Sequence, residues 1–168
     1  LSEIVRIPVS IVVERRKAQS RWIDYVWRPV TALAGIPGTE PWTVLKEEQD
    51  AISFYAGGTE IELYQADAAY YQDNLATGQP LLWVVLRPSK GEPPYELFKV
   101  TADPHEGESL TGSGADLVET VAMPDVIAAE VARFVARYYV ARPFVKRKRD
   151  RANPEALARK IPVKEDKE

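Results

Sequence analysis

Cysteine is absent from the 168 residues, and histidine and methionine occur once each. Without thiols there can be no disulfide, thiolate nucleophile, iron–sulfur cluster or cysteine-based zinc site, a usage that suits a reducing compartment. No apolar run approaches the roughly eighteen residues a membrane span needs. No basic stretch leading into a hydrophobic segment opens the chain either, so a cytoplasmic location is expected. The lone His105 would have to serve any serine triad by itself, and no G-x-S-x-G elbow is present. Gly107, Gly112 and Gly114 are not followed by the Gly-Lys-Ser/Thr ending of a phosphate loop. Together these absences disfavour an enzyme, and the residues call for no cofactor.

What is present is an ordinary globular composition, 45% apolar and 28% charged, in a chain long enough for one core. The net charge of −3 conceals an asymmetry: residues 143–168 hold nine Lys/Arg against five Asp/Glu, which leaves the body at −7. We therefore read residues 1–142 as a single α+β domain and 143–168 as a basic, mixed-charge tail of the kind that serves as an interaction arm.

Hydrophobic periodicity fills in the domain. Apolar residues at every odd position from Val5 to Val13 predict a half-buried strand. Trp22 to Trp27 is rich in strand formers and continues to Leu33, with Pro29 requiring an edge position or a bulge. Trp42 to Leu45 reads as a further strand, ended by the polar corner 46–50. Ile52–Tyr55 and Glu60–Tyr64 flank Gly57-Gly58, which reads as a tight hairpin turn. A short helix is expected over 67–76. Leu81–Leu86, apolar throughout and bounded by prolines, fits a central buried strand, and Tyr95–Thr101 and Leu117–Val121 add two more, separated by a loop over 103–114. From Pro124, apolar residues at 127, 131, 134 and 138 predict a C-terminal helix capping the core. With no βαβ alternation, the expected fold is an antiparallel sheet or partly closed β-barrel of about seven to eight strands, with one short inserted helix and the capping helix.

The candidate sites are few. His105 lies among Asp103, Glu106 and Glu108, but a single histidine in a Pro/Gly loop is usually solvated, and transition metals recruit more nitrogen or sulfur ligands. Glu60 and Glu62 share a strand face as paired carboxylates would, yet a solvent face produces the same alternation. Two basic clusters stand out as partner-binding candidates. One comprises Arg15, Arg16, Lys17 and Arg21 around the first turn. The other is Phe144 with Lys146, Arg147, Lys148, Arg149 and Arg151 in the tail. Trp22, Tyr25 and Trp27 could stack bases, although strand aromatics more often pack the sheet, and the acidic body argues against nucleic acid.

Six separated segments, Ile7–Arg16, Trp22–Trp27, Phe54–Gly57, Glu60–Tyr64, Leu82–Pro88 and Arg142–Arg151, together resemble a bacterial domain family of unassigned function. Genes of that family often accompany those of molybdenum-dependent formate dehydrogenase. The resemblance implies a non-catalytic accessory protein that assists maturation or assembly of such an enzyme, with the enzyme or its maturation proteins as partner. It carries no catalytic residues. A link to molybdopterin-guanine dinucleotide synthesis also attaches to the resemblance, although the chain lacks the glycine-rich opening of such a transferase. The alternative is a small-molecule or molybdopterin/nucleotide cofactor-binding module, for which Arg28 and Arg87, each beside a proline at a strand end, are the anion-contact candidates.

Overall fold

The computed structural model describes residues 3–112 and 114–140. Strands β1 (Ile4–Lys17), β2 (Tyr25–Ala34), β3 (Thr43–Glu47) and β4 (Ala51–Tyr64) are followed by helix α1 (Ala68–Ala76) and strands β5 (Leu81–Pro88) and β6 (Tyr95–Thr101). Helix α2 (Pro104–Thr111), strand β7 (Leu117–Ala122) and helix α3 (Asp125–Tyr138) complete the order.

The strands divide into two antiparallel sheets, β2-β1-β4-β3 and β6-β5-β7, and among the described residues neither closes into a barrel. Which strands share a sheet depends on non-local pairing, above all β1 with β4, and a one-strand-at-a-time reading does not contain it. The two sheets enclose one core and approach each other at β4 with β6 and at β2 with β7. The odd positions Ile7, Val9, Ile11 and Val13 of β1 point into the space between them and meet Leu82, Val84 and Leu86 of β5. Ile127, Val131 and Phe134 of α3 enter the same core, while Tyr138 packs partly buried at its edge. Full burial of such aliphatic side chains contributes about 1.5–3 kcal/mol each.

Gly57-Gly58 is not a hairpin turn: β4 runs straight through it. A bulge lies beside the pair instead, at Ala56 and Gly57: pairing with β1 slips between Ile11 and Val12, Ala56 has no partner in the register, and Gly57 takes a φ of 137°. Turn and bulge use the same freedom at positive φ, so the dipeptide does not distinguish them. Pro29 lies on edge strand β2, where the register against β1 shifts between Val12 and Val13.

The expected loop over 103–114 contains α2. Asp103 accepts hydrogen bonds from the backbone N–H groups of His105 (2.8 Å) and Glu106 (3.2 Å), and Pro104 opens the helix. This helix covers the second face of β5. Trp83 is buried under it, which explains why β5 is apolar at consecutive rather than alternate positions. Among the described residues, no helix is long and apolar enough to cross a membrane.

Candidate functional site

Strands β1 and β4 have fourteen residues each, whereas the longest strand of the other sheet has eight. At about 3.4 Å per residue the larger sheet reaches some 20 Å further. At the Lys17 end of β1, Tyr95 of β6 touches Trp27, and Tyr25 and Arg15 follow along the same face of the larger sheet.

Strand alternation sorts the first basic cluster. Arg15 pairs in register with Trp27, Lys17 with Tyr25 and Arg16 with Val26. Arg15 and Lys17 therefore share the face of Val13, while Arg16 points the other way with Glu14. Glu14 neutralises that second face, bonding Arg16 through both oxygens (2.9 and 3.3 Å) and approaching Arg28 at 3.8 Å. Arg21 sits exposed in the hairpin loop beside Trp22, which is 87% exposed, and Ile23, which is 54% exposed.

Arg15 is the unusual member. Its guanidinium carbon lies 4.1 Å from the centre of the Tyr25 ring, 5.8 Å from Trp27 and 6.0 Å from Phe54. A delocalised, weakly hydrated cation suits such a position better than an ammonium would. Behind it, Trp27 stacks on Phe54 (5.8 Å), and Trp42 meets both rings edge-on. Trp42 has a φ of 68°, a strained conformation for a bulky residue, and its N–H donates to the Tyr55 carbonyl (2.5 Å). In front of Arg15 opens a cavity of about 300 Å³, bounded by Lys17, Tyr25 and the 47–52 corner. Arg15 Nε is buried and has no hydrogen-bond partner among the described residues.

The other candidates have local partners. Arg87 forms a two-bond pair with Asp116 (2.9 and 3.1 Å) while lying over Phe98, and this bond holds the Asp116 carboxyl below its ordinary value. With Arg28 on Glu14, both anion-contact candidates are occupied. Glu60 and Glu62 face Arg6 (3.9 and 3.4 Å) on the outer face of the sheet, and the Tyr64 hydroxyl, donating to Glu62, lowers that carboxyl and raises its own pKa. His105 stacks on Tyr70 (4.9 Å between ring centres), Glu106 pairs with Lys99 (3.4 Å) and Asp103 is engaged in capping α2. Among the described residues, no group of three metal-ligating side chains converges. Phe144, Lys146, Arg147, Lys148, Arg149 and Arg151 lie outside the described residues.

Burial pushes the Asp103 carboxyl above its ordinary value, opposed by the N–H groups of Glu106 and His105. The folded chain thus holds this proton more tightly than the unfolded one. Ionisation therefore subtracts from stability above the folded value, and stability is regained as pH falls through it toward the ordinary carboxylate range. Asparagine caps a helix as well as aspartate does but carries no charge. Asp103→Asn should match or exceed wild-type stability at neutral pH, whereas Asp103→Ala should lose about 1 kcal/mol in chemical denaturation.

The family described as "Protein of unknown function (DUF3305)" matches residues 8–148, from the middle of β1 into the basic tail. The chain belongs to that family. The description assigns it no activity, and nothing in the match links it to formate dehydrogenase genes. No curated protein and no solved structure matches this family member.

Proposed function

We propose that this chain is a non-catalytic accessory protein that docks on an acidic protein surface through the end of the larger sheet, whose β1–β2 hairpin carries Arg15, Lys17 and Arg21 together with exposed Trp22 and Ile23. The observation that carries this reading is the Arg15 guanidinium, lying over Tyr25 at 4.1 Å at the wall of a cavity and with no carboxylate within 4 Å among the described residues. Tryptophan and arginine are the residues most enriched where binding energy concentrates, and an aromatic-backed arginine loses little freedom on binding.

The partner proposed from the sequence resemblance is a molybdenum-dependent formate dehydrogenase or one of its maturation proteins, with the basic tail as a second contact. Affinity purification of the full chain, of a form ending at Arg142, and of Lys17→Glu/Arg21→Glu tests this. Formate dehydrogenase subunits should co-purify with the full chain and be lost with the charge reversal, since like charges at a docking rim are repulsive. Equal recovery with all three forms would refute both contacts.

A further inference from the structure

We propose that Arg15 is a receptor for a single carboxylate, presented by an acidic side chain of the docking partner. This deepens the docking reading and rests on it for the source of the carboxylate. Among the described residues Arg6, Arg16, Arg28, Arg87, Arg133 and Arg137 each have a carboxylate within 4 Å. Arg15 and Arg21 have none, and Arg21 is exposed on the hairpin loop. Arg15 is instead held against Tyr25, with Trp27 and Phe54 behind, so that one face of its guanidinium is covered by rings and its donor edge remains to be satisfied. Nε is shielded from solvent and has no acceptor among the described residues, so a carboxylate entering the cavity would bond the terminal nitrogens of the guanidinium.

The cavity in front sets the charge of what can enter. Its wall carries Arg15 and Lys17 on one side and Glu47, Glu48 and Asp50 on the other. Glu48 already pairs with Lys46 at 3.1 Å. Glu47 and Asp50 remain as negative neighbours, and they penalise a dianion such as phosphate more heavily than a monoanion. At about 300 Å³ the space admits a side chain or a small aromatic acid. A nucleic-acid backbone would bring a row of phosphates toward those same carboxylates, so protein is the favoured source.

The test uses the full chain labelled with ¹⁵N and follows the arginine Nε–H resonances, with the Arg15 signal assigned by its loss in Arg15→Met. Benzoate, a monoanionic carboxylate with a flat apolar body, and inorganic phosphate are titrated separately at matched ionic strength. Benzoate should move the Arg15 signal saturably, with an affinity at least about tenfold above that of phosphate. An unmoved Arg15 signal, or phosphate binding as tightly as benzoate, overturns the proposal. Should Arg15→Met fail to fold, Arg15→Lys keeps the charge while removing the planar donor edge, and it should lower the benzoate response read from tryptophan fluorescence by about tenfold or more. Full retention by Arg15→Lys also overturns it. If benzoate binds at Arg15 while Arg15→Lys leaves formate dehydrogenase binding unchanged, the receptor stands and the docking reading falls.

Discussion

Replacing Gly107 with valine should unfold a large fraction of the protein at temperatures the wild type tolerates, and alanine should cost about 2–3 kcal/mol. Gly107 sits in the middle of α2 with its backbone against the buried Trp83 ring. A Cβ built there would lie 2.2 Å from Trp83 Cγ and 2.5 Å from Cδ1 and Cδ2. No such approach is possible, so either α2 lifts off the sheet or Trp83 leaves its place. Helix propensity opposes this cost, because alanine is favoured over glycine by up to about 1 kcal/mol in a helix interior. The steric term wins because Trp83, only 7% exposed, sits within a paired strand that leaves the ring little room to move. A double-mutant cycle separates the two effects. Trp83→Leu frees space, so Gly107→Ala should cost far less in that background, and an equal cost in both would contradict the steric account.

Asn74→Ala is expected to be of similar size, about 2–4 kcal/mol. Asn74 is almost wholly buried on α1 and binds three backbone groups of the smaller sheet. Its amide nitrogen donates to the carbonyls of Leu81 (2.8 Å) and Ala102 (3.0 Å), and its oxygen accepts from the Leu81 N–H (3.0 Å). This one side chain therefore fastens α1 to the start of β5 and the end of β6. Alanine would leave the buried Ala102 carbonyl and the partly buried Leu81 groups without that partner. Asn74→Asp distinguishes the hydrogen-bond account from one of volume alone. It keeps the shape but turns a carboxylate toward two carbonyl oxygens, so burial should raise its pKa and its stability should fall further as pH rises through that value. Denaturant unfolding of both variants at pH 5 and pH 8 is the measurement. A pH-independent Asn74→Asp would contradict the account.

These two positions also show what a sequence reading reaches. The alternation of β1 and the periodicity of α3 are local patterns and carry through into the structure at Ile7, Val9, Ile11 and Val13 and at Ile127, Val131 and Phe134. Asn74 and Gly107 carry no comparable signal, because their roles are set by residues on other elements. The signature that could have revealed α2 was present, an aspartate followed by a proline and then Glu106 at the third helical position. It was obscured by the glycines and the shortness of the segment. The candidate site was half legible. A basic cluster at residues 15–21 is visible in the chain, but the sequence ends the strand at Val13 and places the cluster around a turn; only the extension of β1 to Lys17 lets alternation separate Arg15 and Lys17 from Arg16. That Glu14 spans Arg16 and Arg28, and that Tyr25, Trp27 and Phe54 form the surround of Arg15, follows only from the register of β1 with β2 and β4.

Surface charge alone would make Arg15, Arg16, Lys17 and Arg21 equivalent contributors to the proposed docking; the geometry ranks them. Arg15 should dominate the dissociation rate as a stacked anchor, Lys17 and Arg21 should set the association rate and its salt dependence, and Arg16, already paired, should matter least.

The most direct test is the binding of the purified full chain to purified molybdenum-dependent formate dehydrogenase from the same cell, measured at low and high salt for wild type, Arg15→Met, Arg16→Met and Lys17→Glu/Arg21→Glu. The account predicts salt-sensitive binding that is weakened about tenfold or more by Arg15→Met and by the charge reversal and is nearly unchanged by Arg16→Met. Absence of binding, or equal loss with Arg15→Met and Arg16→Met, would contradict it.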